Sequence, residues 1–280
     1  MKKVLVILGT TMVVIVILAV MVLKTGVFTK NSKTQQIDAD VCDVQSNYTQ
    51  QIDAELCKIE NEELQVIEKV REAIRQRCAS DIVATLREEM LSIHANHQAY
   101  VSNLLDSLGW PDNLSDSANR AIFHVILHAP HSFTEKYIHL LKEARVPFFD
   151  FTVVDLNGKP VRLSERITGK PAVLNLWTSS CAPCRKKGKE LIPLYKDFRD
   201  KGFVVIGVAH ERNISTAEAA IRLDKYPWEN FVELNDVEQI RLRYGLAGGM
   251  GNYFLIDENG YIIAVAPSID EIRDFLLSKL

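Results

Sequence analysis

An apolar run, Ala172-Val173-Leu174-Asn175-Leu176-Trp177, leads through Thr178-Ser179-Ser180 to Cys181-Ala182-Pro183-Cys184, and then into a Lys- and Glu-rich segment with helical spacing. That order is strand, tight turn and helix, with two thiols at the turn. It constrains the fold more than any other stretch. A nearly continuous apolar run belongs in the middle of a sheet covered on both faces. A cysteine at a helix N-terminus meets unpaired backbone N–H groups and the positive end of the helix dipole, so its thiolate, the nucleophilic form, is favoured. Cys184 lies one helical turn further on, within reach of a disulfide. Pro183 falls in the first turn, where its missing N–H is not needed. A lone Cys-x-x-Cys reads as a redox pair, as half of a metal site, or as a structural remnant. A metal site would need a second pair of soft ligands. Cys42, Cys57 and Cys78 are far upstream and isolated from one another, and His210, the nearest downstream histidine, has no ligand-spaced His or Cys beside it. The redox pair is the favoured reading, with no metal and no cofactor.

Ahead of this stretch lie two other regions. Val4 to Leu23 carries no charge, and as a helix it would span roughly 30 Å, one hydrocarbon core. Its exit, Leu18 to Lys24, offers no small-x-small cleavage site. Residues 1–30 are therefore expected to be an uncleaved transmembrane anchor, with a cleaved signal or a buried helix as alternatives. Lys2 and Lys3 on one side nearly balance Lys24, Lys30 and Lys33 on the other, so the positive-inside rule gives little direction. A short N-terminus before a long body favours the body outside. Five cysteines, an odd number, argue against a disulfide-stapled scaffold, and a net charge of -3 gives no reason to expect nucleic acid as a partner.

Between Gly26 and Gly109 there is neither Gly nor Pro. Apolar residues at three- and four-residue intervals predict helices over Ile37–Ile59, over Leu64–Ile74 with Asn61 as N-cap, and over Ile82–Ile93 with Ser80 as N-cap. Gln98–Leu108 extends the last or adds another, and Ala118–Ala129 and Thr134–Ala144 follow. Residues 34–144 thus read as an all-α domain of unknown role. Cys42 and Cys57 on one straight helix would be about 22 Å apart, beyond disulfide reach. His94 with His97, and His124 with His128, share helix faces at metal-ligand spacing, but no acidic third ligand stands in local register. They read as surface or hydrogen-bonded core residues, like His131 and His139. Gly109-Trp110-Pro111 and Leu127-His128-Ala129 resemble the weak signature of an uncharacterised bacterial helical family, which implies no activity.

From Arg145 onward the pattern changes. A strand at Thr152–Asp155 ends in the turn Leu156–Lys159. Ala172–Trp177, the helix Ala182–Arg199 and the strand Phe203–Ala209 form a βαβ unit. A helix at Thr216–Lys225, a strand at Phe231–Glu233, a short helix at Val237–Tyr244, a hairpin from Asn252 to Pro267 and a helix at Ile269–Leu280 complete a mixed sheet with helices on both faces. Trp177-x-x-x-Cys181-x-x-Cys184, Pro147-x-Phe149, Asp155-x-x-Gly158, Leu174-Asn175-Leu176-Trp177 and Phe254-Leu255-Ile256-Asp257-x-x-Gly260 together resemble membrane-anchored thioredoxin-like reductases of the TlpA/ResA type. The resemblance covers residues 146–280. It implies an α/β thioredoxin-like fold and thiol–disulfide exchange, with Cys181 attacking and Cys184 resolving. It also implies disulfide-containing protein substrates, a membrane thiol electron donor, and a single-pass position in the bacterial inner membrane with the soluble domains on the periplasmic, extracytoplasmic side. Three positions depart from the family pattern. Ser180 precedes the first cysteine where a bulky residue is usual. Asn175 stands where thioredoxin has a buried acid. Gly251, in Gly248-Gly249-Met250-Gly251, occupies the place of the cis-proline that faces the dithiol. Trp177 is expected to pack against the dithiol turn. Other classes remain open: a binding or scaffold protein that merely displays this domain, a thiol peroxidase suggested by Thr178-x-x-Cys181, and a copper-delivery protein, which would want wider cysteine spacing.

Overall fold

A computed structural model describes residues 32–234, 239–246 and 251–280, with side chains from residue 46. The expected anchor at 1–30 and the loop residues Gly248, Gly249 and Met250 lie outside the described residues. Among those described, no helix is long and apolar enough to cross a membrane. Residues 56–280 form one compact unit, and the architecture that follows is that of this unit and the helix leading into it.

Helix α1 (Ser32–Arg75) and helix α2 (Ser80–Leu108) replace the shorter helices expected from the apolar stripes. Asn61, expected to start a helix, lies inside α1 and donates from Nδ2 to Cys57 O at 3.1 Å. A single Asn costs well under about 1 kcal/mol in a helix interior. That is too little to interrupt a segment without Gly or Pro whose Ile59, Val66, Ile67 and Val70 are buried. Ala79, not Ser80, is the cap of α2, and Gly109, at φ 69°, ends it. Helix α3 (Asp116–His128) starts where the Ser115 side chain accepts from Ala118 N. Helix α4 (His131–Tyr137) passes into a tighter 3₁₀ turn at Ile138–Lys142 instead of continuing to Ala144.

The rest of the chain builds a seven-stranded mixed sheet. Its strands and helices are β1 (Thr152–Val154), β2 (Pro160–Arg162), α5 (Ser164–Ile167), β3 (Ala172–Trp177), α6 (Ala182–Phe198), β4 (Val204–Glu211), α7 (Ile214–Asp224), β5 (Glu229–Leu234), α8 (Ile240–Arg243), β6 (Asn252–Ile256), β7 (Ile262–Val265) and α9 (Ile269–Lys279). The order across the sheet is β2-β1-β5-β4-β3-β6-β7. Strands β3, β4 and β5 are parallel neighbours, while β6 runs antiparallel to β3. Every residue of β3 is buried, as its apolar composition requires of a central strand. Alternate residues feed two cores. Val173 and Trp177 face α6, α7 and α9, joined there by Leu191, Leu194, Ala217 and Ile272. Leu174 and Leu176 face the opposite way, into a core that contains Phe123 of α3 and Leu141 of the 3₁₀ turn. The helical segment thus supplies part of the cover for one sheet face.

Gly188 shows how tightly α6 is seated. A Cβ there would come within 2.8 Å of Tyr226 Cζ, and Tyr226 cannot swing away because it is stacked on Trp228 and edge-on to Trp177. Overpacking of this kind costs about 1–3 kcal/mol, offset by up to about 1 kcal/mol of helix propensity. Gly188→Ala is expected to lower the melting temperature by roughly 2–4 °C; a variant that melts at or above the wild-type temperature would contradict the packing described.

Candidate active site

Cys181 is the N-cap of α6 and Pro183 lies in its first turn. The two cysteines form a disulfide, with Cα atoms 5.3 Å apart. Their surroundings differ. Cys181 is half-buried beside the exposed Ser180, whereas Cys184 is 7% exposed and joins the core between α6 and the sheet. Each sulfur has one backbone donor. Cys184 N lies 3.2 Å from Cys181 Sγ, and Gly251 N lies 3.2 Å from Cys184 Sγ. An outer sulfur with an N–H aimed at it, over an inner sulfur held in the core, suits attack at the first and resolution by the second.

The turn is fixed from several sides. Ser179 N donates to Glu211 Oε1 at 2.6 Å, and Cys181 N donates to Thr178 O at 3.1 Å. Arg185, the residue after the inner cysteine, is half-buried and committed away from the dithiol. Its Nε and Nη2 donate to Asp224 at 2.6 and 3.0 Å. The Arg185 guanidinium holds the Asp224 carboxyl below the usual carboxylate range. Lys186 stays exposed. Behind the turn, Trp177, Tyr226, Trp228 and Tyr195 form a continuous row of ring contacts, with centroids 5.1 to 5.7 Å apart. Trp177 meets Tyr226 edge-on, and the Tyr226 hydroxyl donates to Arg185 O at 3.2 Å, one residue past the dithiol.

Asn175 sits at the centre of β3, 1% exposed, with neither its Oδ1 nor its Nδ2 hydrogen-bonded to protein. Its register neighbours are Gly207 on β4 and Tyr253 on β6. Gly207 in turn pairs with Asn230 on β5. Asn175 and Tyr253 are thus polar neighbours across β3 and β6, and the Asn230 side chain closes over Gly207 on β4. The sequence marked only Asn175; Tyr253 and Asn230 gain meaning from sheet register, which a linear reading does not contain. A cavity of about 10 Å³, lined in part by Trp177, His210, Glu233, Arg241 and Gly251, has room for about one water.

The paired histidines lie elsewhere, around Glu63 of α1, whose side chain is 1% exposed. His97 Nδ1 is 2.7 Å from Glu63 Oε1, and His94 Nε2 and His128 Nδ1 are 3.2 and 3.3 Å from Oε2. His97 Nε2 also reaches Glu62, at 3.0 Å. His124 stacks between His128 and Phe149 and places Nε2 3.0 Å from Arg243 O. The acid missing from local register is thus supplied from more than thirty residues upstream, on α1. Among the described residues no group of three or more His, Cys, Asp or Glu is placed to hold a metal ion. Cys57 Sγ lies 3.6 Å from Ser115 Oγ, and Cys78 is half-buried.

Residues 144–265 match the AhpC/TSA family. Thiol-disulfide oxidoreductase ResA of Bacillus cereus is 30% identical over 155 residues, covering 52% of this chain and 86% of that protein. ResA of Bacillus thuringiensis is 30% identical over 115 residues, covering 41% of this chain and 64% of that protein, less than two thirds of its length. The thioredoxin domain of a thiol-disulfide oxidoreductase from Bacteroides vulgatus is 28% identical, with 47% of this chain and 94% of that one covered at a TM-score of 0.43. By the extent of its match to the Bacillus cereus protein, the chain belongs to the ResA family of thiol–disulfide oxidoreductases.

Proposed function

We propose that this protein is a disulfide reductase that acts on extracytoplasmic protein substrates through Cys181 and Cys184. The observation that carries the reading is the asymmetric pair at the mouth of α6, with Cys181 half-buried at the turn and Cys184 in the core. In the reduced protein the Cys181 thiolate attacks one sulfur of a client disulfide. A Cys181–client disulfide forms, the client bond breaks, and its second sulfur leaves as a thiolate. The Cys184 thiolate then attacks Cys181 Sγ, closes the internal disulfide and releases the first client thiolate. The two protons of the enzyme dithiol end on the two client thiols, and two electrons pass with them. A membrane thiol protein restores the dithiol by the reverse sequence. Segment 1–30 anchors the chain in the inner membrane, with the remainder on the periplasmic side.

The test is a redox titration of the full chain against glutathione, together with turnover on insulin disulfides. A reductase equilibrates well below the roughly −180 mV of an isomerase. A potential near the roughly −120 mV of a strong oxidant would reverse the direction proposed. A dithiol inert to all reductants would favour the display or scaffold reading. Rapid stoichiometric consumption of peroxide would favour the peroxidase.

A further inference from the structure

The structure places an N–H where the reaction develops charge. Gly251 N lies 3.2 Å from Cys184 Sγ. When an incoming thiolate attacks Cys181, the Cys181–Cys184 bond breaks and its electron pair departs on Cys184 Sγ. In the closed disulfide that sulfur is a weak acceptor. In the transition state, and wherever the opened protein holds it as a thiolate, it carries negative charge, and a hydrogen bond to it strengthens. An interaction that is stronger in the transition state than in the ground state is one that accelerates the step. We propose that the backbone N–H of Gly251 is a catalytic donor that holds the Cys184 thiolate as it leaves Cys181. The inference rests on the thiol–disulfide reading above and adds a residue to it.

The approach requires glycine at this position. A Cβ on Gly251 would come within 2.8 Å of Trp177 Cα and closer still to the Leu176 carbonyl oxygen, and all of these are backbone atoms of β3 or its end. Backbone in the most buried strand cannot move aside as a flexible side chain could. Proline fails twice here: it carries the same Cβ, and it has no N–H to give. The departure from proline at this position is therefore an exchange of one function for another. The loop gives up a rigid ring and gains a donor on the inner sulfur. The two sulfurs become matched, Cys181 served by Cys184 N and Cys184 by Gly251 N. The donors differ in origin. The first belongs to the helix that carries the dithiol, and the second comes from the residue just before β6, so only the second depends on how β6 is seated.

The N–H can be removed without adding an atom. In the full chain, Gly251→glycolate converts the amide between residues 250 and 251 to an ester. Oxidised wild type and ester protein, matched by circular dichroism and melting temperature, are opened with glutathione. Hydrogen bonds to charged groups are strong enough to shift the glutathione equilibrium about tenfold toward the disulfide when one is lost. The opening rate is expected to fall severalfold, because only part of the charge has developed in the transition state. A second variant, Gly251→Ala, keeps the N–H but forces the backbone away from Leu176. It is expected to show the same two shifts together with a lower melting temperature. Wild-type rate and equilibrium in the ester protein would overturn the proposal and leave the exchange reading intact. Failure of the wild type itself to react with glutathione would overturn the exchange reading first.

Discussion

Cys181→Ser is expected to abolish turnover on protein disulfides entirely, while Cys184→Ser is expected to complete one half-reaction and stop. The two outcomes differ because the two sulfurs differ in place. Cys181 caps α6 at an exposed turn and Cys184 lies within the core. Without the outer thiolate no mixed disulfide forms. Without the inner one a mixed disulfide forms and has nothing to resolve it, so Cys184→Ser protein should accumulate a stoichiometric adduct with client, cleared by dithiothreitol. Mass spectrometry of the adduct decides the matter. A Cys181→Ser protein that still turns over, or an adduct carried by Cys184, would reverse the assignment of roles.

The second large effect lies away from the dithiol. Glu63 is buried, and burial alone would raise its pKa; hydrogen bonds from His128 and His97 and the nearby His94 outweigh that and bring it from 4.5 to about 2. Folded protein therefore stays ionised at Glu63 where the unfolded chain takes up a proton. The resulting stability is present above about pH 4.5 and lost as pH falls toward 2. His124 adds to the same limb. Burial, and then the neighbouring His128, hold it down at about 3. Below about pH 6.5 the unfolded chain gains a proton there that the folded chain refuses, and stability falls until about pH 3. His97 has the opposite sign. Burial lowers its pKa, but the bonds to Glu63 and Glu62 win and raise it. Its contribution is complete below the free value of 6.5 and is lost as pH rises through the raised one. Glu63→Gln removes the charge these imidazoles face. It is expected to cost about 3 kcal/mol at neutral pH and to flatten the acid limb between pH 4.5 and 2. Denaturant titrations at several pH values would measure both. Wild-type stability with an unchanged slope would count against the account.

How much of this was legible in the chain depends on whether the signal was local. Strand β3 and helix α6 were readable because their cues are contiguous: an unbroken apolar run, a dithiol, and a proline where a helix begins. A mixed sheet with helices on both faces followed from the succession of strands and helices, but the order of strands across it did not. Asn61 misled because a capping residue stops a helix only when the chain has somewhere else to go, and a stretch without Gly or Pro has not. Glu63 and Asp224 were invisible as partners. Each is one acid among many until folding brings it against His97 or Arg185. The short β2 was missed because Pro160-Val161-Arg162 is too brief to alternate. Gly251 was legible as a departure from proline, but the donor it brings to Cys184 needs the packing of β6 against β3.

Phe123 and Leu141 enter the same apolar layer as Leu174, Leu176 and Phe254, and His124 and His128 reach the carbonyls of Arg243 and Leu242. The two halves are not beads on a string. Excising the oxidoreductase portion at residue 145 would bare a greasy flank that water cannot wet cheaply, and grafting it onto another carrier would demand a substitute lid.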